Sequence, residues 1–224
     1  MEQPIEKYEH EGLIVSIYQD ELAESPRECD NVGKMLIVTN DNYSSPINET
    51  ELTQEEIHEL RCMASKSDIE IALSKKFKNS VILPIYRYAH SGVWYNTTGF
   101  NNYPLPQGHV EFDTCHVGYI IATRQDILNN FGIKKITQEF RAKTEALLRG
   151  EVDEYSKWAN GEVYGFVISD ENSDNLDSVW GFYDIKDCKK EAEESSEFIA
   201  SKTNSRIAQT YMENVEMAGQ QKLF

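Results

Sequence analysis

Six short runs of apolar and β-branched residues constrain this chain more than any other feature. They cover residues 12–18 (Gly-Leu-Ile-Val-Ser-Ile-Tyr), 34–39, 80–88, 116–122, 162–168 and 176–183. Each is strand-length, and each is bounded by polar or turn-forming residues, so each reads as a β-strand. The third contains Pro84, which has no backbone donor and therefore belongs at a sheet edge or a bulge. The last two are joined by the polar run 169–175, which predicts a hairpin.

Helical spacing separates these runs. Thr53 with Glu56 three residues on forms a capping box, and Ile57, Leu60 and Ala64 follow at helical intervals, predicting a helix over 53–65. Ile69, Leu73 and Phe77 mark a second over 68–77. Thr123 caps a short helix over 124–130 that Gly132 ends. Thr137 opens the longest, to 158, with Phe140, Thr144, Leu147, Leu148, Val152 and Tyr155 along one side and Asn160-Gly161 as its stop. Residues 186–218 carry alternating charge with few large apolar side chains, predicting a peripheral helix broken near Thr203-Asn204-Ser205. The expected fold is α+β, with a largely antiparallel sheet that includes the terminal hairpin and the 137–158 helix packed on one face. The expected division is a core over 1–184 and a helical appendage over 185–224.

Charge narrows the partners. The net charge is −16, and residues 1–60 alone carry 15 acids against 3 bases. Such a field repels nucleic-acid phosphate and favours a basic protein surface. Cys29, Cys62, Cys115 and Cys188 are scattered without a CxxC pair, which suits a reducing cytosol and speaks against a zinc ribbon. No apolar run of about 18 residues exists, and Met1–Glu6 has no apolar signal core, so a cytoplasmic protein away from membranes is expected.

Polar chemistry concentrates between Ala89 and Gly118, where His90, Ser91, Trp94, Asn96, Thr97, Thr98, His109, Glu111, Cys115 and His116 fall. Loops this long are often functional. On an extended strand His109, Glu111 and Asp113 would share a face, and with His116 or His90 they offer a weak metal set for hydrolase or oxygenase chemistry. No local metal signature supports it, and no cofactor is implied. Ser91 beside His90, or Cys115 beside His116, lacks the context of a nucleophile. Residues 170–181 imitate a calcium loop but lack its glycine and its closing glutamate. Trp158, Tyr164, Phe166, Trp180, Phe182 and Tyr183 are read as core aromatics of the hairpin and its packing helix.

Ser25-Pro26-Arg27-Glu28-Cys29-Asp30-Asn31-Val32-Gly33-Lys34-Met35, His90-Ser91-Gly92, Asn96-Thr97-Thr98-Gly99-Phe100, Val117-Gly118-Tyr119-Ile120, Glu151-Val152-Asp153-Glu154-Tyr155, Gly161-Glu162-Val163-Tyr164-Gly165-Phe166 and Leu176–Tyr183 follow one another in order. Together they resemble a family of phage and mobile-element proteins over about residues 12–183. That resemblance, taken with the acidic first quarter and the absence of a strong catalytic motif, leads to the expectation of an accessory protein, more a binder than an enzyme, that engages and modulates a host protein such as a defence or restriction component. A different expectation is a small-ligand binder, for instance of a nucleotide signal, using the aromatic-rich 89–118 segment. The binding residues expected are His90, Ser91, Trp94, Asn96, Thr97, Thr98 and His109, with Arg27 and Asp30. Segments 20–33 and 89–118 are expected to meet at one end of the sheet, with Arg27 pairing to Glu28, Asp30 or loop carboxylates.

Overall fold

The computed structural model describes residues 3–39, 46–90, 92–100, 113–172 and 174–220, the side chains of 204 and 206–220 excepted. The elements in chain order are β1 (Glu6–His10), β2 (Leu13–Gln19), a 3-10 turn (Pro26–Glu28), β3 (Lys34–Ile37), β4 (Ile47–Asn48), α1 (Gln54–Cys62) and α2 (Lys66–Lys76). There follow β5 (Val81–Ala89), β6 (Val93–Asn96), β7 (Thr114–Ala122), α3 (Arg124–Phe131), α4 (Gln138–Ala159), β8 (Tyr164–Ser169), β9 (Asn175–Phe182) and α5 (Ile185–Gln220). The fold is α+β with antiparallel pairing throughout the described strands.

The chain forms two units, one from residues 24–160 and one from 1–23 with 161–224. This division does not coincide with the one expected at 184. The terminal hairpin is not in the sheet that carries the long helix, contrary to expectation. β8 instead pairs β2, giving a four-stranded sheet in the order β1-β2-β8-β9.

The larger unit is a five-stranded sheet in the order β4-β3-β7-β5-β6, clad on both faces. On one face Leu148, Val152 and Tyr155 of α4 and Ile127 of α3 pack on Met35, Ile37, Val81, Ile85 and Ile120. On the other, Ile57 and Leu60 of α1 and Leu73 of α2 pack on Leu36, Tyr119 and Ile121. Two covered faces explain why β7 carries only apolar and aromatic side chains from Val117 to Ala122. The helix starts follow the sequence closely. Thr53 and Thr123 each cap through a capping box, with Glu56 and Asp126 returning the bond, and Gly132 ends α3 in the left-handed conformation. Pro84 lies in β5, an interior strand. β6 pairs only Tyr86–Ala89, so one side of β5 is unpaired at Pro84, and a bulge follows at Ile85/Tyr86.

In the smaller unit the core is Val15, Ile17, Phe166, Ile168, Cys188 and Ala192. The first turns of α5 are therefore core-forming, more than an appendage. The helix also runs through Thr203-Asn204-Ser205 without the expected break. Thr203 Oγ1 donates to the carbonyl of Ile199 at 3.0 Å and Ser205 Oγ to that of Ser201 at 2.9 Å. Each hydroxyl thus finds an acceptor inside the helix.

Candidate functional site

Arg27 turns out to be a clasp. Its side chain is only 6% exposed. Nε and Nη2 grip Glu49 bidentately at 3.0 and 2.6 Å, Nη1 donates to Glu151 of α4 at 3.2 Å, and Nη2 also donates to the Gly33 carbonyl at 2.6 Å. The carboxylates are held from the other side by backbone. Glu151 accepts from the amides of Val32 and Gly33, and Glu49 from that of Met35. Burial works against the guanidinium's charge, but the bonds and charges of Glu49 and Glu151 more than offset it and raise its pKa. The expected partners Glu28 and Asp30 are replaced by Glu49 and Glu151, and Asp30 is exposed.

The segment from His90 to Phe100 contains β6, which sequence reading treats as loop. β6 is an edge strand, and α4 closes part of its edge. The Tyr95 amide donates to Ser156 Oγ at 2.7 Å and the Val93 amide to Asn160 Oδ1 at 3.4 Å. Beyond β6 the chain turns on Asn96, whose Oδ1 accepts from the amides of Thr98 and Gly99 while Nδ2 donates to the Gly99 carbonyl. Thr97 is buried, and its hydroxyl accepts from Arg149 Nη1 at 2.8 Å. Asn96 and Thr97 therefore shape the turn. Thr98 joins Tyr95, Asn96, Thr97, Arg149, Gly150 and Asp153 around an open cavity of about 350 Å³. Trp94 lies over Tyr88 with Phe100, and the exposed His90 meets Tyr88 edge-on.

His116 is placed by the β5/β7 bulge, which leaves Val117 unpaired and puts His116 opposite Tyr86 on the face covered by α2. Its ring sits edge-on to Tyr86 and Tyr119, at centroid distances of 5.6 and 4.7 Å. Lys66 donates to the Tyr86 hydroxyl at 2.5 Å. Burial first, then the Lys66 charge, hold the imidazole below its ordinary pKa. Nε2 is buried with no hydrogen-bond partner. Ser91, His109 and Glu111 lie outside the described residues. Among the described residues no group of three His, Cys, Asp or Glu side chains could hold a metal ion.

Among the described residues the most open strand is in the smaller unit. β9 is an edge strand, and residues 174–181 are all exposed, including Leu176 at 45% and Trp180 at 46%. Trp180 is thus not the core aromatic expected, whereas Phe166 is fully buried. The indole lies flat across Gly165 of β8, where a Cβ would stand 2.3 Å from its ring, and reaches Tyr18 of β2 at 6.1 Å between centroids. The calcium-like run is not a single loop: from Asn175 on it is β9, and its first residues lead out of β8. Asp170 Oδ1 accepts from the amides of Asn172 and Asp174 at 2.9 and 3.0 Å, so that oxygen is already engaged by backbone.

No family model, no curated protein and no solved structure matches the chain. Kinship therefore assigns no function, and only the chemistry of these surfaces can. Of the residues singled out by sequence, Asn96, Thr97 and Thr98 share the cavity, while Arg27 is committed to its clasp. Segments 24–33 and 93–98 both pack on α4, through Glu151 for the first and through Ser156 and Arg149 for the second. Residues 20–23 belong to the other unit. Sequence reading did not single out Arg149, Gly150 or Asp153 as site residues, although Asp153 falls in one of the resemblance's segments. Their one signal was a glycine in the interior of an otherwise strongly helical run.

Proposed function

We propose that this chain is a binding protein, an accessory of phage or mobile-element type, that docks an extended basic segment of a host protein along β9. One observation carries this reading. The hairpin from Glu162 to Asp184 holds six carboxylates, Glu162, Asp170, Glu171, Asp174, Asp177 and Asp184, and no Lys, Arg or His. They surround the most exposed of the described strands. Edge strands are templates for further pairing, and proteins usually blunt them. In the larger unit the edge of β6 is partly closed by Ser156 and Asn160, and β4 is only two residues long. In the smaller unit β1 carries Glu6, Lys7, Glu9 and His10, charges of both signs. β9 has no cation and carries Leu176, Val179 and Trp180 along its length.

An added strand would hydrogen-bond to the backbone groups that β9 turns away from β8, and its side chains would alternate between two faces. Phe166 opposite Val179 and Gly165 opposite Trp180 show that these neighbours point to opposite faces. A lysine or arginine beside Trp180 gains a cation–π contact, and one beside Asp177 gains an ion pair. A second copy of this hairpin would bring six carboxylates against six, which disfavours self-pairing.

A peptide of about nine residues alternating lysine with valine, long enough to span a strand, tests this on the intact chain by amide chemical-shift titration. Saturable shifts over 174–182, weakening with added salt and falling at least tenfold in Asp174→Lys/Asp177→Lys, are expected. Equal binding by a glutamate–valine peptide, or shifts that map elsewhere, would sink the proposal.

A further inference from the structure

We infer that the cavity between the end of β6 and α4 binds a small zwitterion of the amino-acid type. The inference is independent of the β9 surface and concerns the other unit. Three features converge. Arg149 is anchored by its bond to Thr97 Oγ1 at 2.8 Å, and Thr97 is itself 8% exposed, so the guanidinium is held against the cavity wall. Asp153 lies one helical turn further along α4 on the same wall. Its ion pair is with Lys157 at 3.3 Å, on the side away from Arg149. An anchored cation and an exposed carboxylate thus line one cavity, about 5–6 Å apart along the helix surface. A planar guanidinium accepts a carboxylate in a fork, and a carboxylate accepts an ammonium. One molecule carrying both groups satisfies both, whereas a phosphate would face the Asp153 charge.

The third feature is Gly150. It stands in the interior of a 22-residue helix, between the two charged residues, and lines the same cavity. Glycine is a poor helix former, and an interior glycine usually reflects close packing. Here a Cβ would meet nothing within 4 Å. Packing therefore gives no reason for it, while a Cβ at this position would take up room in the cavity that Gly150 lines. The glycine leaves that part of the lining open to the ligand's backbone or methylene chain.

The test is an amide chemical-shift titration of the full chain with glycine, β-alanine, 4-aminobutyrate and 5-aminopentanoate, and with acetate and ethylammonium as half-ligands. At least one zwitterion should give saturable shifts at Thr98, Gly150 and Asp153 below about 10 mM, with each half-ligand at least tenfold weaker. Arg149→Gln and Asp153→Asn should each weaken binding at least tenfold. Both positions are exposed, so both variants should keep the native spectrum. Gly150→Ala separates the roles most sharply. It should raise the melting temperature by about 2–4 °C through helix propensity and weaken binding at least threefold. No saturable shift from any zwitterion, or binding unchanged in Arg149→Gln or in Gly150→Ala, would overturn the inference.

Discussion

Replacing Arg27 by alanine should be among the most damaging single changes in the larger unit. The substitution removes four hydrogen bonds at once, two to Glu49, one to Glu151 and one to the Gly33 carbonyl. The bonds themselves matter less than what they leave behind. Glu49 and Glu151 are 25% and 12% exposed, so two carboxylates with little access to water would face each other across the space the guanidinium filled. Breaking a buried ion pair from one side costs about 3–5 kcal/mol. Partial exposure and the surviving amide bonds from Val32, Gly33 and Met35 place this case near the lower end, about 3 kcal/mol. That corresponds to a fall in melting temperature of roughly 6–12 °C for a domain of this size.

Urea unfolding at neutral pH, followed by tryptophan fluorescence and by circular dichroism, would read the loss. A second variant isolates the physical cause. Arg27→Met combined with Glu49→Gln and Glu151→Gln removes the cation and both anions together. If uncompensated charge dominates, the triple variant should recover at least half of what Arg27→Ala loses, because no buried ion is left alone. A cost below about 1 kcal/mol for Arg27→Ala would show that the clasp is effectively solvated. A triple variant no more stable than Arg27→Ala would show that lost packing, not orphaned charge, sets the penalty.

Three further expectations rest on the same geometry. His116 has a lowered folded pKa, so below about 6.5 the unfolded chain takes a proton that the folded chain refuses. Its contribution to stability is complete above that value and is lost as pH falls through the folded pKa, and His116→Phe should remove that part of the slope on the acid side of the ordinary imidazole pKa. An unchanged slope in the variant would refute it. Gly118→Ala should cost more than about 3 kcal/mol, since the new Cβ would stand 1.9 Å from the Leu36 carbonyl oxygen, a backbone atom held in the β3/β7 ladder; a near-native melting temperature would contradict the packing described. Ser156→Ala should cost about 1–3 kcal/mol by stranding the buried Tyr95 amide, and hydrogen exchange at Tyr95 should accelerate; exchange as slow as wild type would show that another acceptor replaces it.

What could be read from the sequence follows the range over which each feature is encoded. Thr53 with Glu56, Thr123 with Asp126, and Gly132 are local chemistry, and each cap lies where its residues place it. Apolar runs marked β2, β3, β5, β7 and β8 for the same reason. β1 escaped because Glu-Lys-Tyr-Glu-His carries almost no apolar signal, although Glu11 and Gly12, both with positive φ, make the two-residue turn that joins it to β2. β6 escaped because its four residues sit among loop-like Gly, Asn and Thr. Sheet membership was beyond reach, since β2 and β8 pair residues as far apart as Ile14 and Ser169, and nothing in either run names its neighbour. Arg27 shows the same limit at one side chain. Its need for carboxylates was legible, but nearby Glu28 and Asp30 were the visible candidates, and the ones used are 22 and 124 residues away. Trp180 shows the converse error. An aromatic in a strand is usually core, and only the edge position of β9, with the indole resting on Gly165, turns it outward. Exposure at a sheet edge is a property of topology, so the surface proposed to bind a partner is the part of this molecule least accessible to sequence reading.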